Sequence, residues 1–149
     1  MKKLLAVLLL LLPLTISVEL QAKESGENTY SEMAQEIFGA MNTERENAGL
    51  DAFVWEEGLE DAALVRAQEC TIRFSHVRPD GTAWWTVCKD LDYAENLAYG
   101  FTSVHSVMDA WMNSPSHRAN ILDRDLSTCA ISIILADDGK LYFAVEFGI

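Results

Sequence analysis

Helical periodicity fills most of this sequence and β-rich runs close it, and that order predicts an α+β fold. Three observations carry the prediction. Val104, Val107, Met108, Trp111 and Met112 recur at the spacing of one helix face. Residues 128–136 and 141–147 are rich in Ile, Val, Tyr and Phe. Between these two runs, Asp137-Asp138-Gly139-Lys140 has the composition of a hairpin turn.

Taken in order, the 149 residues begin with Lys2 and Lys3, an apolar run from Leu4 to Leu12, and small or apolar residues around Leu20-Gln21-Ala22. This is the pattern of a secretory signal peptide over residues 1–22, too short and wrongly flanked for a membrane span. No cysteine follows it for lipid attachment, so a secreted, extracellular, monomeric protein is expected. Residues 23–29 are polar and expected to be a flexible lead-in, and residues 30–149 are expected to form one domain. Tyr30 to Ala48 reads as a helix through Met33, Ile37, Ala40, Met41 and Arg45, with Gly49 as its stop. Leu50 to Trp55 reads as extended, and Glu57 to Cys70 as a second helix. Thr71 to Asp92 is irregular. The central helix then has Thr102 or Ser103 as N-cap and Pro115 as its stop.

Charge narrows the partners. The chain carries net −12, and loss of the leader with Lys2, Lys3 and Glu19 takes this to −13. Such a surface repels nucleic acid and anionic lipid, and tolerates divalent cations.

Candidates for chemistry are few, because there are only three histidines. His76 precedes Val77-Arg78-Pro79-Asp80-Gly81, where proline and glycine fix the shape of a loop. His117 follows Pro115 in a similar setting, and Glu95 is read as a loop residue on the other side of the central helix. His105 lies within that helix and reads as a solvated residue. No His-Glu-x-x-His helix is present, nor a Gly-x-Ser-x-Gly elbow, so Ser114 and Ser116 are poor nucleophiles. Three cysteines leave one unpaired: Cys70 and Cys88 bracket the His76 loop and are expected to form a disulfide, while Cys129 reads as a small buried residue. Three reduced thiols are the alternative.

Several motifs in order carry a resemblance. Asn42-Thr43-Glu44-Arg45-Glu46-Asn47-Ala48-Gly49-Leu50 comes first, followed by Phe74-Ser75-His76-Val77-Arg78-Pro79-Asp80-Gly81-Thr82. Ala94-Glu95-Asn96-Leu97-Ala98-Tyr99-Gly100 leads into a helix holding Trp111. Ser114-Pro115-Ser116-His117-Arg118-Ala119-Asn120-Ile121-Leu122 comes next, and Tyr142 to Gly148 ends the series. Together they resemble the bacterial branch of the CAP superfamily, whose SCP domain unites cysteine-rich secretory, antigen-5 and pathogenesis-related-1 proteins. The resemblance implies a three-layer α-β-α sandwich with a small antiparallel sheet. It also implies a cleft lined by two histidines and two glutamates that can hold a divalent metal such as zinc. Carried over by position, these are His76, Glu95 and His117. The second glutamate, three residues beyond Trp111, is replaced by Ser114.

Two further departures matter. Ala94 stands in place of a glycine. Glu146 stands where relatives carry glutamine, and it offers a replacement carboxylate if its strand faces the cleft. Asn96, Arg118 and Asn120 are assigned supporting roles around Glu95 and His117. The favoured reading is a secreted domain that binds a divalent metal or small ligand without turnover. Its expected partners are a small ligand, an extracellular protein or a cell-wall component. A metal-dependent, peptidase-like hydrolase using the same residues is the alternative, with Glu95 as ligand or base. A lipid- or sterol-binding protein is a further one, which would need an apolar groove. Whether the protein is an enzyme stays open.

Overall fold

A computed structural model describes Gly26 and residues 29–149. The expected leader, 1–22, lies outside the described residues. Of segment 23–29 only Gly26 and Thr29 are described, both with helical backbone. Helix α1 covers residues 29–47. Then come β1 (Val54–Trp55), α2 (Glu57–Ile72), a 3-10 turn (Trp84–Val87), β2 (Ala94–Tyr99), α3 (Val104–Asn113), α4 (Pro115–Ile121), β3 (Thr128–Leu135) and β4 (Leu141–Gly148).

Helices α1 and α2 each bury one stripe. In α1 this is Ala34, Ile37, Met41 and Arg45. Gly49, at φ +72°, ends that helix in the left-handed region, and the Leu50 amide folds back onto the Arg45 carbonyl at 2.9 Å. In α2 the buried stripe is Leu59, Ala62, Ala63, Arg66, Ala67 and Cys70. Both stripes therefore carry an arginine among small and apolar residues.

The sheet order is β1-β3-β4-β2, with β1 parallel to β3 and the other neighbours antiparallel. The hairpin register runs from Thr128 opposite Gly148 to Leu135 opposite Leu141, as the turn composition predicts. Because side chains alternate along a strand, each face collects its own residues. Leu97, Tyr142 and Ala144 pack against Ala63, Ala67 and Cys70 of α2. On the opposite face Ile131, Phe143, Val145 and Phe147 meet Ile37 and Met41 of α1, Trp111 of α3 and Ile121 of α4. The result is the three-layer α-β-α sandwich. Among the described residues no helix is long and apolar enough to cross a membrane.

Alternation also sorts the polar residues of β2. Glu95 shares the face of Leu97 and points toward α2, directly across from Glu146 of β4, while Asn96 points toward α4. Two side chains close the outer edge of β2. Trp111 Nε1 donates to the Leu97 carbonyl at 3.2 Å, and Asn120 Nδ2 to the Glu95 carbonyl at 3.3 Å. Edge main-chain groups that would otherwise pair with another chain are thereby satisfied.

Three expectations are corrected. Glu95 is in a strand, and His117 is in a helix. Pro115 follows the end of α3, as its reading as a stop predicts, and also opens α4, where a missing amide hydrogen costs nothing. The Cys70–Cys88 disulfide is absent, since all three cysteines are free. Cys70 is buried near the C-terminal end of α2. Cys88 belongs to a loop whose Leu91 lies over Gly58, in the first turn of the same helix. Those ends are roughly 20 Å apart at 1.5 Å per residue, far beyond the Cα span of about 7 Å that a disulfide tolerates.

Candidate functional site

The site is built outward from Arg66. Its guanidinium is fully buried on the sheet-facing side of α2 and reaches in three directions. Nε donates to Glu95 Oε2 at 2.6 Å and Nη2 to Glu95 Oε1 at 3.3 Å. Nη1 donates to Glu69 Oε2 at 2.6 Å, and Nη2 to the Ser75 carbonyl at 2.7 Å. One side chain thus joins α2, β2 and the loop carrying His76.

That loop is a small, tightly determined hairpin. Val77 bridges to Ala83, and the Arg78 amide bonds to the Thr82 carbonyl at 2.9 Å. Gly81 closes the turn at φ +86°, a conformation most side chains avoid. Arg78 reaches back to grip both oxygens of Glu69 at 2.8–3.1 Å. The chain Arg78–Glu69–Arg66–Glu95 therefore fixes His76 from both sides. Glu95 Oε1 lies 2.7 Å from His76 Nδ1, and the imidazole remains 55 % exposed. With Nδ1 committed to the carboxylate, Nε2 is the nitrogen left for an outside partner.

His117 comes from the first turn of α4 and is half-buried. Its position depends on an amide relay. Asn96 Nδ2 donates to the His117 carbonyl at 3.0 Å, and Asn120 Nδ2 donates to Asn96 Oδ1 at 2.9 Å. Burial lowers the pKa of His117, and the nearby charge of His76 lowers it further. The two imidazoles are thus within electrostatic reach of each other.

Beneath Glu95 lie Glu146, which the sequence offered as a replacement carboxylate, and Asp92, which it did not mark. Asp92 and Glu146 are buried, and none of their four carboxyl oxygens has a hydrogen-bond donor among the described residues. Full ionisation of Asp92, Glu95 and Glu146 would crowd three negative charges around one guanidinium. Burial, then the charges of Glu95 and Asp92, push Glu146 well above the usual carboxylate range. Burial raises Asp92 to about 7. A proton on Glu146 supplies the missing donor and lets the acids share it. Burial also acts against the charged form of Glu95, but hydrogen bonds from His76 and Arg66 and the Arg66 charge outweigh it, so Glu95 is held below its ordinary value.

His76, Glu95 and His117 are accordingly associated in space, with unequal roles. Both oxygens of Glu95 are already engaged, Oε2 by Arg66 and Oε1 by Arg66 and His76, so Glu95 orients His76. Among the described residues no group of three or more His, Cys, Asp or Glu is arranged to hold a metal. Glu146 lies on the α2 side of the sheet, under Glu95, and does not line the surface between the histidines. The Arg118 side chain is exposed, with no hydrogen-bond or ion partner among the described residues, so the support assigned to it rests on Asn96 and Asn120 alone. His105 is exposed on α3. Arg66 was detectable as a cation on the apolar stripe of α2. Asp92 had no comparable signal.

Comparison with known proteins agrees with this architecture. The chain is 26 % identical over 117 residues to the uncharacterized protein YkwD of Bacillus subtilis strain 168, spanning 74 % of this chain and 46 % of that one. It therefore covers about half the length of that relative. Among solved structures, an outer surface protein of Borrelia burgdorferi superposes with a TM-score of 0.70 at 22 % identity, covering 78 % of this chain and 92 % of that one. An extracellular SCP-domain protein of Bacillus anthracis superposes with a TM-score of 0.67 at 20 % identity, covering 80 % and 41 %. At these identities the structural likeness establishes the fold. The profile of the cysteine-rich secretory protein family matches residues 38–147, most of the chain. The chain belongs to that family, CAP.

Proposed function

We propose that this chain is a secreted binding domain whose site, between the His76 hairpin and α4, takes a divalent cation on His76 and His117 and does not turn over substrate. One observation carries the reading: the 2.7 Å contact between His76 Nδ1 and Glu95 Oε1, which leaves Nε2 as the outward nitrogen. A carboxylate behind an imidazole is the usual way of aiming a metal-binding histidine. The lowered pKa of His117 keeps that imidazole neutral, hence able to ligate, further into the acid range than an exposed histidine. A bound cation would supply Lewis acidity and an anchor for an anionic or carbonyl group of a ligand. Two protein donors leave most of the coordination sphere to that ligand.

Hydrolysis fits less well. Glu95 is the acid in contact with His76, but His76 and the Arg66 guanidinium hold it ionised and occupied, which makes it a weak general base. Secretion is supported by the leader pattern and by the surface or extracellular naming of similarly folded proteins. Calorimetric titration of zinc into the wild type and a His76→Ala/His117→Ala variant tests the proposal. Binding by the wild type and at least tenfold weaker binding by the variant is expected. Equal binding by both proteins would remove the site. Zinc-dependent cleavage of peptide or ester substrates by the wild type would replace binding with catalysis.

A further inference from the structure

Strand β3 presents an edge that β1 does not cover. The two residues of β1 pair with Thr128 and Cys129, and the last main-chain bond on that side runs from the Glu56 amide to the Cys129 carbonyl at 3.3 Å. The hairpin sets the direction of the groups beyond that point. The Ala136 amide bonds to the Lys140 carbonyl, so even-numbered residues of β3 exchange bonds with β4 and odd-numbered ones turn away. Ile131, Ile133 and Leu135 therefore direct their N–H and C=O groups outward, and among the described residues nothing accepts or donates to them. From Ile131 to Leu135 this edge runs for roughly 13 Å at 3.3 Å per residue.

The edge forms one side of a groove of about 760 Å³, walled by Tyr30 and Ala34 of α1 and by Asp61 and Leu64 of α2, with Trp55 at the end of β1. Neither His76 nor His117 lines it. Among the described residues its charge is one-sided: Glu60 and Asp61 line it, and no lysine, arginine or histidine does. Unpaired main-chain groups at two-residue spacing call for an extended backbone, which no small molecule supplies. A second copy of this chain, at net −12, is a poor occupant for an acidic groove.

We propose that the β3 edge is a docking site for an extended peptide with alternating apolar and basic side chains, which adds a strand in line with β1. Its main chain bonds to Ile131, Ile133 and Leu135, its apolar side chains enter the groove, and its cations meet Glu60 and Asp61. The other edge of the sheet cannot serve in this way, because Trp111 and Asn120 occupy it.

The test uses the full chain, isotopically labelled, and a capped synthetic hexapeptide of alternating valine and lysine. Amide shifts read the site, and the titration reads affinity. Shifts confined to residues 130–135 and their groove neighbours are expected, with at least tenfold weaker binding of an alternating valine–glutamate peptide. N-methylation supplies the sharpest control. A strand uses only every second amide toward its neighbour, so methylating one alternate set should weaken binding at least tenfold and the other set far less. Asp61→Lys should weaken binding about tenfold. Leu135→Pro removes an outward N–H without touching bonds to β4, and should weaken it at least threefold. Equal binding of both N-methylated peptides overturns the proposal, as does the absence of shifts at the β3 edge. Protection of the Ile131 and Ile133 amides from exchange in the peptide-free chain would show the edge occupied from within, and would overturn it too.

Discussion

Two arginines are buried in this domain, and their surroundings differ in kind. Arg45 reaches only carbonyl oxygens, those of Asp51, Ile121, Asp123 and Leu126 at 2.7–2.9 Å, and its guanidinium lies 3.8 Å from the centre of the Phe53 ring. It ties the loops after α1 and α4 together with one cation and no ion pair. Arg66 instead meets Glu95 and Glu69, with Asp92 and Glu146 close behind. The first centre is finished: its donors are matched by neutral acceptors. The second holds more acid than one cation balances; burial favours a proton on Glu146, and Glu95 turns outward to the exposed ring of His76. A buried charge matched within the fold is a staple, whereas one left over at the surface end is a site.

Removing each cation should expose that contrast. Arg66→Met leaves Glu95 and Glu69 buried without their partner, and a loss of about 3–5 kcal/mol is expected on urea unfolding. Arg45→Met continues the apolar stripe of α1 and leaves only carbonyls unsatisfied. Two of these, at Asp51 and Asp123, are partly exposed and can rehydrate. A smaller loss, about 2 kcal/mol, is expected. If Arg45→Met proved the more damaging, the ranking of ion-matched over carbonyl-matched centres would be wrong.

The proton gives a subtler handle. Asp92 and Glu146 both have folded-state pKa values above their unfolded ones. Their contribution is present below the unfolded carboxylate range and is lost as pH rises, for Asp92 through about 7. Thermal unfolding of the wild type should therefore show stability falling between about pH 4 and pH 7 from these groups. Glu146→Gln supplies a permanent donor in place of the titrating one. It should match the wild type near pH 5 and exceed it by about 1 kcal/mol at pH 8. A variant as pH-sensitive as the wild type would deny Glu146 the shared proton. The smallest effect concerns the thiols. Because no disulfide joins Cys70 to Cys88, a reductant should leave the unfolding midpoint unchanged within error, and a clear drop would restore the bridge.

How much of this was legible in the sequence depended on the kind of signal. Helices α1, α2 and α3 and the β3–β4 hairpin follow from periodicity and one turn. Strand β2 did not, because Ala94-Glu95-Asn96-Leu97-Ala98-Tyr99 contains no β-branched residue and is covered on both faces. Helix α4 was also missed: Pro115-Ser116-His117-Arg118-Ala119-Asn120-Ile121 buries only Ile121, so it carries no apolar stripe. His76, Glu95 and His117 were chosen from loop chemistry and family resemblance. Their unequal roles emerge only from Arg66, whose place on the apolar stripe of α2 marks it as buried but does not say which acids it meets. The cysteine pairing failed because closeness in sequence said nothing about which end of α2 each thiol meets.

The central claim is that Glu95 aims His76 so that its Nε2, together with His117, receives a cation. Long-range nitrogen–proton spectra of the imidazoles during zinc titration test it most directly. The account predicts that free His76 is protonated at Nδ1, against Glu95, and that zinc shifts Nε2 of His76 together with one nitrogen of His117 at the same ion concentration. In Glu95→Gln the His76 response should need at least tenfold more zinc. Free His76 protonated at Nε2, or zinc shifting only one of the two histidines, would contradict it.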